Sequence, residues 1–137
     1  MTFHLQNPNS GLLLQELESA GAGSQRMAAV FAFASLAGSR LLLEGPSIQQ
    51  LTTVGTLDLI VGIDAVTTVD AIEYLHERSL ELAGLHVHAF IHSNTRSIFH
   101  PKFALFESTD SGTLIAGSGN LTSAGLGRME PTASNLG

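Results

Sequence analysis

The chain has 137 residues, of which 44% are hydrophobic and 13% charged, enough apolar material for one buried core and too little charge for a disordered polymer. No apolar run reaches the eighteen or so residues that cross a bilayer, and the polar start at 1–7 lacks a signal peptide's basic and apolar regions, which predicts a soluble, cytoplasmic protein. Zero cysteines exclude a disulfide framework, thiolate metal sites and cysteine catalysis, and a net charge of -6 argues against coating nucleic acid or anionic lipid by bulk attraction.

In chain order, a short strand is expected at Phe3-His4-Leu5, then a turn over 7–10 and an apolar-rich helix near Leu12 to Ser19, closed by Gly21-Ala22-Gly23. Met27 to Ala34 is apolar on both parities, which suits a strand covered on both faces or else a buried helix, and assigns Phe31 and Phe33 to the core. Leu36 to Leu51 predicts a helix broken at Gly45-Pro46, and Leu57 to Ile63 a second buried strand. Thr67 and Asp70 then form a capping-box-like start for a helix that carries Val69, Ile72 and Leu75 on one face and ends before Gly84. Asp64 suits a turn or helix cap at the end of the second strand.

The second half changes rhythm. His86 to Ile91, Ile98 to Phe106 and Thr113 to Ala116 read as three strands with only turns between them, and a closing helix is expected from Asn120 or Thr122. Strand–helix alternation followed by consecutive strands implies an α/β fold, a mixed β-sheet flanked by helices on both faces. One domain is expected over 1–130, with 131–137 as a flexible tail of an excised or truncated longer protein.

Charge is distributed unevenly. The three arginines of residues 1–85 face nine acids, whereas 86–128 hold Arg96, Lys102 and Arg128 against Glu107 and Asp110, together with four of the six histidines. An anion-handling surface belongs there. Lys102 is the only lysine and lies two residues after His100; on a strand the two share a face about 6–7 Å apart, with Phe99, Phe103 and Leu105 on the packed opposite face. Glu107 has the other parity, which gives it a supporting role. Downstream, Gly117-Ser118-Gly119-Asn120 forms a glycine-rich turn after an apolar strand, where backbone N–H groups and a helix start favour an anion such as phosphate. His86, His88 and His92 lack the cysteine or matched acid of a metal site and read as polar sheet-face residues. Arg96 and Arg128 read as surface residues.

His100-Pro101-Lys102, four residues, Glu107, then Gly117-Ser118-Gly119-Asn120 resembles the motif of the phospholipase D-like superfamily, His-x-Lys, four residues, Asp, then Gly-Ser-x-Asn. The preceding apolar strand and the Asn-Leu-Thr-Ser-Ala-Gly-Leu ending look like its single-motif nucleases and its restriction and helicase-associated modules. Glu107 stands where the family has Asp, the loop 108–112 lengthens the gap, and Glu130 lies near the place of a family Glu that orients the histidine. The resemblance implies metal-independent phosphodiester hydrolysis, most naturally of DNA, without a cofactor. Its catalytic residues would be His100 as nucleophile with Lys102 and Asn120 on the non-bridging oxygens, and Gly117, Ser118 and Gly119 would bind substrate. A single motif supplies one imidazole where the chemistry needs two, so a homodimer sharing one site is expected. The alternatives are a non-catalytic dimerisation or nucleic-acid-docking module of a larger restriction, repair or helicase protein, and a lipid phosphodiesterase of the same chemistry.

Overall fold

Burial alternates along Arg26–Phe31, with Met27, Ala29 and Phe31 at most 2% exposed and Ala28 and Val30 only half-buried. That period of two defines a strand with a single covered face. A computed structural model of the chain describes residues 12–63, 66–91, 93 and 97–127. Among them the order is α1 (Leu13–Gly21), β1 (Arg26–Phe31), α2 (Leu36–Leu43), α3 (Pro46–Val54), β2 (Thr56–Gly62), α4 (Val69–Glu81), β3 (Leu85–Phe90), β4 (Lys102–Glu107) and β5 (Gly112–Ala116). The expected strand at Phe3-His4-Leu5 and the tail at 131–137 lie outside the described residues.

The strands form one five-stranded sheet in the order β3-β2-β1-β4-β5. β1, β2 and β3 are parallel, β4 runs antiparallel to β1, and β5 antiparallel to β4. Local sequence explains the helix boundaries. Ser35 caps α2, its Oγ accepting from Gly38 N at 3.1 Å. The break at Gly45-Pro46 falls where it was expected, because proline suits the first turn of α3 and no helix interior. Glu18 of α1 reinforces that start by accepting from Ser47 N at 2.9 Å.

The core lies on one side of the sheet. Met27, Ala29 and Phe31 join Leu57, Leu59, Val61, Leu85, Ala104 and Phe106, and these pack against Leu17 of α1, Leu42 and Leu43 of α2, Ile48 and Leu51 of α3, and Ala71 and Leu75 of α4. The alternate set, including Ala28, Val30, Asp58, Ile60, Phe103, Leu105 and Leu114, occupies the other face, where Leu114 is 65% exposed. The α/β class and mixed sheet hold; the expectation of helices on both faces does not, among the described residues. Both parallel crossovers advance in one direction, β1 to β2 through α2 and α3, then β2 to β3 through α4. Right-handed connections that never reverse direction deliver their helices to one face. No described helix is long and apolar enough to cross a membrane.

Candidate active site

Parallel β1, β2 and β3 end at one edge of the sheet, and the antiparallel step puts the start of β4 at that same edge: Phe31 pairs with Lys102. Phe103 pairs with Ala116, so β5 also ends there. Segments far apart in sequence therefore converge at the carboxyl ends of the parallel strands, the usual location of ligands in open α/β sheets.

His100 is exposed and precedes β4, separated from it by Pro101, which has no N–H to give a ladder. The strand expected to carry both His100 and Lys102 thus starts only at Lys102. Lys102 turns its ammonium back, Nζ donating to the His100 carbonyl oxygen at 3.0 Å. Its stem passes a small gap also lined by Leu13, Leu17 and Phe31, so the residue is half-buried with a polar tip. The faces of β4 are opposite to the sequence expectation: Ala104 and Phe106, of Lys102 parity, are buried under helices, while Phe103 is 38% exposed on the open face.

The Gly117-Ser118-Gly119-Asn120 turn stands beside the start of β4, Gly117 N donating to Lys102 O at 3.3 Å. Asn120 Oδ1 accepts from Phe33 N at 3.2 Å. A backbone N–H needs an acceptor, so the amide orientation is fixed and its nitrogen is the donor Asn120 can offer a ligand. Ser118, Gly119 and Asn120 line an open depression of about 510 Å³ with Thr122, Ala124 and Gly125. No helix follows within the described residues. Leu121 instead bridges Ala34 in parallel, its N–H bonded to Phe33 O at 3.1 Å and its carbonyl to Ser35 N at 2.9 Å, and 123–127 are turns. The positive end of a helix, expected from Asn120 or Thr122, is therefore not part of the depression.

Phe33, read as core, is half-buried and sits two residues beyond the end of β1. Its ring meets the His100 imidazole edge to face, 5.9 Å between centroids at 66°, while its N–H holds Asn120. Thr67 is a second residue the sequence concealed: it does not cap α4 but accepts from Ala34 N at 3.2 Å and donates to Gly62 O at 2.7 Å. Phe99 stacks on Phe90 at 4.1 Å and covers Gly62, where an added Cβ would meet its ring at 2.7 Å. For Phe33 the available signal was its position two residues past the end of β1.

Glu107 is not at this edge. Five residues beyond Lys102, roughly 17 Å along the strand, its Oε2 accepts from Arg26 Nη1 at 3.1 Å, so its supporting role is to the sheet. Arg26 also faces Asp58 at 3.6 Å, and Asp58 meets His86 Nδ1 at 3.1 Å. His86 is thus engaged with a carboxylate, and no metal-holding group of three exists among the described residues. Asp64, His92, Arg96, Arg128 and Glu130 lie outside the described residues. No protein-family model and no curated protein matches the chain.

Proposed function

We propose that the chain is a metal-independent phosphodiesterase of the phospholipase D-like class, acting on DNA as a homodimer. The observation that carries this reading is the convergence of the His100–Lys102 segment and the Gly117–Asn120 turn at one sheet edge, joined through Phe33 and the Gly117–Lys102 hydrogen bond. Four residue types suited to phosphoryl transfer meet there: an exposed imidazole, an ammonium, an amide donor and a glycine-rich backbone.

In this reading the neutral His100 imidazole attacks phosphorus and the bond to the leaving oxygen breaks, with the symmetry-related imidazolium of a second copy protonating that oxygen. Water then hydrolyses the phosphohistidine, the same partner imidazole taking its proton. Lys102 releases the His100 carbonyl to meet a non-bridging oxygen, exchanging a neutral acceptor for an anionic one. Asn120 donates to the other. DNA is preferred to lipid because the resemblance is to nuclease members, and affinity for a polyanion would come from further domains, given the net charge of -6.

The test is hydrolysis of bis(4-nitrophenyl) phosphate and of a DNA oligonucleotide in excess chelator. Wild type cleaves both, and His100→Ala loses on the order of 10³-fold or more in kcat. Undiminished cleavage by His100→Ala removes the assignment. Sedimentation is expected to give a dimer, and isolated protomers that remain active would remove the shared site. The sheet face that no described helix covers favours a second reading, a non-catalytic docking module, which an inactive but dimeric wild type would support. Cleavage of phosphatidylcholine vesicles in preference to DNA would instead mark a lipid enzyme.

A further inference from the structure

We propose that Phe33 is a positioning residue that holds the His100 imidazole and the Asn120 amide in one fixed relation. His100 is exposed at the end of a segment that reaches β4 through Pro101, so neither strand pairing nor burial fixes its ring. The ring meets the phenyl of Phe33 edge to face at 5.9 Å, the geometry that the quadrupoles of two aromatic rings favour. The same residue uses its main chain for the other half of the site. Phe33 N donates to Asn120 Oδ1, and Phe33 O accepts from Leu121 N. Phe33 is itself anchored, because its neighbours Ala34 and Ser35 are bonded to Thr67 Oγ1 and to Leu121 O. One residue thereby ties a ring from one segment and an amide from another to the end of the central strand.

The role in catalysis rests on the phosphodiesterase reading; the geometric role does not, and the experiment separates them. Phe33→Leu removes the ring and keeps the N–H. In the full-length protein, the His100 ring-proton resonances, identified by their loss in His100→Gln, are expected to move as the phenyl ring current disappears. Against bis(4-nitrophenyl) phosphate, kcat is expected to fall about ten- to a hundredfold with KM within about twofold, and Phe33→Tyr to restore it. Unmoved His100 resonances in folded Phe33→Leu would overturn the proposal, as would full activity with the ring removed. If Phe33→Leu does not fold, Phe33→Trp decides the matter, since its larger ring current displaces the same resonances only if the contact exists. A wild type without hydrolytic activity would overturn the phosphodiesterase reading and with it the catalytic role, while moved resonances would still support the geometric one.

Discussion

Asn120 shows how a single backbone donor fixes a side chain's chemistry. With Oδ1 committed to Phe33 N, Asn120→Asp keeps an acceptor for that N–H but loses the donor. Its kcat is expected to fall about 10²–10³-fold, with a melting temperature close to wild type, checked by steady-state kinetics and calorimetry on one preparation. Equal activity would show that no ligand oxygen uses the amide. His100, Lys102 and Asn120 were legible in the sequence because their residue types carry chemistry and their spacing is unusual. Phe33 was not, since an aromatic residue at strand parity with Phe31 reads as core. Only the end of β1 at Phe31 frees it to turn toward the imidazole.

At the scale of elements, α2 is pressed against the segment that carries Asn120. A Cβ on Gly38 would collide with the backbone at Leu121 and Thr122, so Gly38→Ala must either push that segment away or strain the helix. A loss of about 1–3 kcal/mol is expected in denaturant unfolding, together with reduced hydrolysis. α2 also meets α4 through Tyr74, whose hydroxyl lies 3.4 Å from Glu44 Oε1 and whose ring is stacked by Arg40 at 5.6 Å. Burial, and then the Glu44 carboxylate, raise the Tyr74 pKa above its ordinary value. A raised folded-state pKa means that the folded protein holds the proton more tightly. That contribution is intact below the unfolded value of about 10 and is lost as pH climbs through the folded value. Melting curves from pH 8 to 11 are therefore expected to fall more steeply for wild type than for Tyr74→Phe. Helix boundaries around these contacts were readable from Ser35 and Gly45-Pro46, whereas the facing of β4 was not. The sequence reading set Lys102 opposite the packed residues, yet Ala104 and Phe106, which share its parity, are the ones beneath the helices.

For the whole molecule, the one-sided helical layer separates two kinds of surface. The open face carries a row of His86, Asp58, Arg26 and Glu107 across four strands, with Arg26 and Glu107 about half exposed. Such pairs are solvent-screened, so Arg26→Ala is expected to cost no more than about 1 kcal/mol and less at high salt. A leucine of the buried face, such as Leu59→Ala, is expected to cost about 2–5 kcal/mol independent of salt. Urea titrations of both variants at low and high ionic strength make the comparison. The helix expected after β5 is absent from the described residues, but the class of fold and the order of elements from α1 to β5 were visible in local patterns. Which face the helices take was not, because it depends on the spatial order of strands, and no window of sequence carries that order.

The antiparallel seam between β1 and β4 also has a temporal meaning. Arg26 and Glu107 are 81 positions apart, against 30 for Arg26 and Thr56, so closing that seam directly costs roughly 1 kcal/mol more chain entropy than joining β1 to β2. On the ribosome, a nascent chain that has emerged only through β3 can begin its parallel pairing while the imidazole, the ammonium and the amide have yet to leave the exit tunnel. The groups proposed to act join the edge after their scaffold has begun to form, and a product terminated before them would lack the proposed site.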